Sequence, residues 1–298
     1  MTGVLILDKP AGFTSFDAVA KTRRLCGEKK CGHTGTLDPM ATGVMTVLLG
    51  GATRFASLLP DHDKAYIASF RLGLTTDTLD VTGTTLATRP VTATRADVAA
   101  ALAAFRGKIT QIPPMYSAVS VGGQRLYQLA RQGVEVERPA RSVTIHALTL
   151  TEADEAANTY TIAVDCSAGT YIRTLVGDLG ERLGCGAVLT ALRRTRANGF
   201  DESQAVTLDR LAEASARGVA ASLLIPLDLA LGAYPALTVT AAQAARFRNG
   251  GALFTARLHG LEGLGLYRVY GPDGAFLGLG EADGGESLAV KRVFQTTE

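Results

Sequence analysis

Strand-like and helix-like segments follow one another in this chain without a regular βα rhythm. That irregular order limits the fold more than any single motif does. A clean alternation would demand a parallel sheet with helices on both faces; its absence predicts a mixed or antiparallel sheet flanked by helices, an α+β protein. Residues 3 to 8 are aliphatic and read as a buried strand leading into the turn "DKPAG". "TSFDAVAKTRRLCG" reads as a helix capped by Thr14 with Asp17, or by Ser15 alone, with Gly27 just past its end. A glycine-rich loop follows, then a strand in "GVMTVLLG", a short helix in "ATRFASLL" and a strand in "KAYIASFRLG". "TRADVAAALAAFRG" is a helix with a Thr94–Asp97 capping box. "SVTIHALTL" and "TYTIAVDCS" read as paired strands. "TYIRTLVGDLGERLG" sets Ile172, Leu175, Val176, Leu179 and Leu183 on one helical stripe, which must pack on a core. After Pro226 the composition shifts. A short helix, several glycine-bounded strands and a hairpin around Pro272–Asp273–Gly274 read as a small β-rich unit.

A length of 298 residues allows one large domain or two, and 47% hydrophobic residues suffice for a sizeable core. No apolar run reaches the length of a membrane span, and four consecutive large aliphatics near the start are too few for a signal-peptide core. The chain is therefore expected in the cytoplasm, with no membrane partner. The four cysteines form no C-x-x-C pair and read as reduced thiols. The net charge of +2 says little about partners. Two local clusters say more: "KTRRLCGEKK" and "RRTR" (193 to 196) are each either a solvated face or a phosphate-contacting patch.

"GHTGTLDPMATG", residues 32 to 43, admits three readings. A phosphate loop fails because the glycines are mis-spaced and no lysine follows. A zinc site drawing on Cys26, Cys31 and His33 lacks a second cysteine pair at ligand spacing. The third reading is a presented acid. Leu37 anchors inward, Pro39 restricts the backbone of Asp38, and the glycines permit close approach. On the residues alone, Asp38 is either a catalytic carboxylate or an ordinary turn acid bonding nearby N–H groups.

"GHTGTLDPMATGVM" followed by "LGGATR" resembles the signature of the TruB family of tRNA pseudouridine synthases. "LILDKPAGFTS" is similar to the family's N-terminal lysine–proline motif, "DKAYIASFRLGLTTDTLDVTG" to its tyrosine motif and "CSAGTYIRTLVGDLG" to its arginine motif. "PPMYSAVSVGGQRLYQLARQG" resembles its RNA-gripping insertion, and "LRRT" a last pocket element. The resemblance implies a catalytic domain over residues 1–232, with the insertion at about 113–140. It also implies a PUA-like RNA-binding β-barrel over 233–298. The implied reaction is isomerisation of uridine 55 in the tRNA T-loop: the base leaves its sugar at N1, turns and rejoins through C5. No cofactor, metal, guide RNA or partner protein is implied, and the expected state is a monomer.

By this resemblance Asp38 is the essential carboxylate and Arg173 its cationic partner. Tyr66 is a second catalytic residue: it stacks on the target base, and its hydroxyl helps remove the C5 proton. Tyr171 and Leu192 wall the pocket, as a flipped base requires. His33 is the wedge that fills the gap left by that base. Lys9 either supports the loop or contacts a phosphate, and both basic clusters lie beside the RNA backbone.

Overall fold

A computed structural model describes residues 1–295; the end of the expected C-terminal unit, residues 296–298, lies outside the described residues. The architecture is α+β, as the element order predicts. The main sheet runs in the order Val206–Thr207, Gly3–Lys9, Thr42–Leu49, Ala187–Ala197, Lys64–Leu72, Thr159–Cys166, Arg141–Asp154, Gly107–Gln111. Most neighbours are antiparallel. Gly3–Lys9 with Val206–Thr207 and Thr42–Leu49 with Ala187–Ala197 are parallel, so the sheet is mixed.

The central strands bury both faces. In Gly3–Lys9, Leu5 and Leu7 enter one core, while Val4 and Ile6 enter a second on the opposite face. In Thr42–Leu49, Met45, Val47 and Leu49 divide from Val44 and Leu48 in the same way. Side chains alternate across a strand, so a strand covered on both faces is apolar throughout and shows no alternation. Of the two caps the sequence allows, the helix Ser15–Leu25 uses the box of Thr14 with Asp17, and Gly27 follows its end at φ 60°. The helix Ile172–Arg182 lays Ile172, Leu175, Val176 and Leu179 on the first core. Gly180 on that helix lies against the backbone at Ala187, where any Cβ would overlap it, so the helix docks closely on the strand that follows.

Two elements depart from the sequence reading. The stretch read as a continuous loop begins with a short strand, Cys31–Thr34, paired with Thr42–Leu49; the loop proper is 35–41. The strand Ala187–Ala197, central to the sheet, was not anticipated, because "LRRTR" interrupts its apolar pattern. Its arginines are accommodated individually. Arg193 pairs with Asp8 and Glu202, and Arg196 with Asp61 and Asp165. Arg194 is buried and donates to the carbonyls of Val44 and Gly35. Two arginines of the "RRTR" cluster are thus ion-paired within the chain while still partly exposed, and the third is enclosed.

A second sheet, in the order Ala236–Thr238, Gly265–Tyr270, Phe276–Ala282, Ser287–Val293, Leu253–Phe254, forms with the helix Ala241–Arg248 around its own core. The predicted hairpin is present around 271–275. Phe276 and Phe294 of this unit pack on Phe55 of the 3-10 helix Gly50–Leu58, with ring centroids 6.3 Å and 6.1 Å away. No helix among the described residues is long and apolar enough to cross a membrane.

Candidate active site

The loop 35–41 is held from both sides. Leu37 is buried in the first core, and buried Ser15 grips its backbone twice: Oγ accepts from Leu37 N–H (2.8 Å) and donates to Leu37 O (3.0 Å). Gly12 N–H donates to Pro39 O at 2.8 Å. Lys9 is fully enclosed, and its ammonium donates to the carbonyls of Pro10 (2.9 Å), Phe13 (2.6 Å) and Pro39 (3.4 Å). In this structure the ammonium is spent on backbone carbonyls of the turn after the first strand and of the loop. Burial brings its pKa down to about 8, against the pull of the Asp38 charge.

Asp38 projects from this loop with its side chain one-third exposed. Arg173, on the first turn of Ile172–Arg182, meets it with two contacts: Nε lies 2.8 Å from Oδ2 and Nη2 3.0 Å from Oδ1. The same guanidinium donates to Thr78 O (2.9 Å) and Tyr116 O (2.8 Å). Buried Gln111 positions that helix, accepting from Tyr171 N–H at 3.0 Å and donating to Tyr171 O at 3.2 Å.

Around the pair lies a cavity of about 530 Å³, a size that suits a small bound group. Tyr66, Tyr171 and Leu192 line it with Asp38 and Arg173, so five of the seven expected site residues converge there. The insertion supplies Ser117, Ala118 and Arg125 to the same cavity. Burial pushes the Tyr66 phenol up, partly countered by the Arg194 charge, so it is protonated at neutral pH. His33 stands outside the lining, on the strand Cys31–Thr34. Burial, then the charge of Arg194, holds its imidazole below the usual range, so it is neutral at neutral pH.

Gly43, on the strand Thr42–Leu49, serves a close approach within the protein itself. A Cβ at Gly43 (φ 98°) would collide with the backbone of Arg194, so the close approach there is to the neighbouring strand. Sequence reasoning also passed over Asp80. This buried acid accepts through Oδ1 from Thr78 Oγ1 (2.8 Å), Thr82 N–H (2.9 Å) and Thr82 Oγ1 (2.5 Å), and its Oδ2 is 3.8 Å from Arg173 Nε. The signal lay within "TTDTLDVTG", where hydroxyls stand two residues to either side of the acid.

A paired carboxylate and guanidinium in one cavity with aromatic and apolar walls is the constellation of an enzyme that handles a planar group. Residues 23–172 match the TruB family pseudouridylate synthase N-terminal domain, and 173–232 the tRNA pseudouridylate synthase B C-terminal domain. Residues 235–294 match the C-terminal region of pseudouridine synthase II TruB. The chain is 49% identical to tRNA pseudouridine synthase B of Aromatoleum aromaticum over 99% of its own length and 93% of the relative's. It is 47% identical to the protein of that name from Thiobacillus denitrificans, over 99% and 97%. Among solved structures, a chain from the "Crystal Structure of a Cbf5-Nop10-Gar1 Complex" superposes with a TM-score of 0.73 at 26% identity, covering 98% of this chain and 85% of that one. The chain belongs to the TruB family of pseudouridylate synthases, isomerases that convert uridine to pseudouridine.

Proposed function

We propose that this enzyme isomerises uridine 55 in the T-loop of tRNA, acting alone in the cytoplasm. Residues 1–232 carry the chemistry, and 233–298 act as a PUA-like RNA-binding unit. The observation that carries the reading is the Asp38–Arg173 pair inside a cavity walled by Tyr66, Tyr171 and Leu192. The name shared by the relatives, tRNA pseudouridine synthase B, supports tRNA as the substrate.

The target uridine leaves the T-loop stack and enters the cavity, a step that costs a few kcal/mol. Tyr66 and Leu192 cover the base while Asp38 addresses the sugar and base. The N1–C1′ bond breaks, the uracil turns, C5 bonds to C1′, and the C5 proton is lost while N1 regains one. The raised pKa of Tyr66 supports a stacking phenol over a phenolate base. The position of His33 outside the cavity, as a neutral ring, supports its role as the wedge in the vacated stack. Arg173 offsets the charge of a carboxylate that the RNA would otherwise repel.

The test is an unmodified tRNA transcript incubated with the purified protein or with Asp38→Asn, without metal, nucleotide or guide RNA, followed by mapping of pseudouridine. One modified T-loop site for the wild type and none for the variant is expected. A wild type that needs an added RNA or protein would overturn the stand-alone reading, and an inert wild type the substrate.

A further inference from the structure

The cavity holds more positive charge than its pairing uses. Asp38 is the one carboxylate lining it among the described residues, and Arg173 occupies both of its oxygens. Lys64, Arg125 and Arg141 line it as well, and among the described residues none of them is ion-paired with a carboxylate.

Lys64 is the cation built most closely into the site. It stands two residues before Tyr66 on the strand Lys64–Leu72, so the two side chains share a face. Its stem lies against the catalytic loop: a Cβ at Gly35 would sit 3.1 Å from Lys64 Cε. Its ammonium donates to one protein oxygen, His62 O at 2.8 Å. An ammonium has three donors, so two remain unspent. Burial, reinforced by the Arg194 charge, holds the Lys64 pKa below its usual value. A half-buried cation in this condition costs the fold energy unless an anion completes it.

We propose that Lys64 binds a backbone phosphodiester of the target nucleotide, next to the uridine whose sugar meets Asp38. The inference rests on the function proposed above. It follows from the cavity wall that Lys64 shares with Tyr66 and Asp38: a nucleotide with its base on Tyr66 and its C1′ at Asp38 carries its own phosphate one sugar away. Phosphate contacts made by other surface cations set general affinity. This one fixes the register of the flipped nucleotide.

The experiment combines a protein change with a substrate change. Lys64→Gln and Lys64→Arg are compared with wild type on a T-stem-loop RNA. One version is natural, and others carry a neutral methylphosphonate at the linkage 5′ or 3′ of the target uridine. Dissociation constants and single-turnover rates of pseudouridine formation are both read. Lys64→Gln is expected to weaken binding about tenfold and to flatten its salt dependence by about 0.7 in log–log slope, the loss of one phosphate contact on a single strand. One neutral linkage costs the wild type the same factor and costs Lys64→Gln nothing further, while Lys64→Arg retains the natural behaviour. Two losses that multiply at both linkages overturn the proposal, as does a Lys64→Gln equal to wild type. A slowed Lys64→Gln beside a wild type indifferent to both neutral linkages assigns Lys64 to the departing uracil and also overturns it. A wild type that binds the RNA yet forms no pseudouridine refutes the proposed function, while the binding comparison still decides the role of Lys64.

Discussion

Arg173 reaches Asp38 through two nitrogens at once, 2.8 Å from Oδ2 and 3.0 Å from Oδ1, while the same guanidinium holds the carbonyl of Tyr116 at 2.8 Å. Tyr116 belongs to the stretch read as the RNA-gripping insertion. One buried side chain thus orients the candidate catalytic acid and ties it to a segment that lines the cavity. A two-point contact fixes the plane of a carboxylate as well as its position, which a point charge does not.

Asp38→Asn keeps the shape and one acceptor but removes the charge. Arg173 retains its two carbonyl partners and Asp80 at 3.8 Å, and the Asp38 side chain is one-third exposed. The loss of stability is expected to stay near about 1–2 kcal/mol. The rate should fall by at least roughly a thousandfold, as for other essential groups of a reaction. Urea unfolding and single-turnover assays on tRNA check the two halves separately. A variant within about tenfold of the wild-type rate would remove Asp38 from the chemistry.

Arg173→Lys preserves the charge and abandons the fork. A lysine ammonium cannot meet both oxygens in plane and also hold the carbonyls of Thr78 and Tyr116. Losing part of a charge-assisted set costs about 1.5–3 kcal/mol, hence roughly 10- to 100-fold in rate. The defect should appear in kcat at saturating tRNA. A change confined to KM would mean that the arginine serves RNA binding and not the acid.

How much of this was legible in the sequence depends on how local the signal is. The capping boxes at Thr14–Asp17 and Thr94–Asp97 are contacts three residues apart, and both are present. The stripe on Ile172–Arg182 has a helical period and is buried along most of its length. The convergence of Asp38, Tyr66, Tyr171, Arg173 and Leu192 was legible through motif resemblance, since no local rule joins residues so distant in sequence. Ala187–Ala197 was illegible because its arginines find partners, among them Asp8, Asp61 and Asp165, that lie far away in sequence. Charge in a row looks like surface until the acids that neutralise it are known. Gln111 escaped notice, and Ser15 stood out only as a possible helix cap, for the same reason: they act by gripping the backbone of Tyr171 and Leu37, which no side-chain pattern records.

Lys9 gives the fold a pH dependence of predictable sign. Its pKa is about 8 in the folded chain, depressed by burial from 10.5. Between those values the unfolded chain binds more protons than the folded one, so stability attributable to Lys9 rises with pH across that window. Below about pH 8 both states are protonated and the desolvation cost is present in full; above about 10.5 it is gone. Lys9→Met removes the titration. The stability of wild type relative to Lys9→Met should therefore increase from pH 7 to pH 9.5, measured by urea unfolding of both proteins at each pH. An unchanged or decreasing difference would show that the three carbonyls hold the ammonium charged throughout.

The two basic clusters should separate in a salt titration. Arg23, Arg24, Lys29 and Lys30 are exposed beside the strand that carries His33, and among the described residues none is ion-paired. The acid between them, Glu28, is engaged by the terminal amine at 2.7 Å. Arg193 and Arg196 are each committed to two carboxylates, and Arg194 is enclosed. If the first cluster tracks the RNA backbone, Arg23→Ala and Lys29→Ala each weaken tRNA binding and lower the slope of log affinity against log salt by about 0.9. Arg193→Ala frees Asp8 and Glu202 and should lower stability by about 1 kcal/mol or less, because that pair is partly exposed, while leaving the slope unchanged. The reverse pattern, with a flattened slope for Arg193→Ala and none for Arg23→Ala, would place the RNA backbone at Arg193 instead of the first cluster.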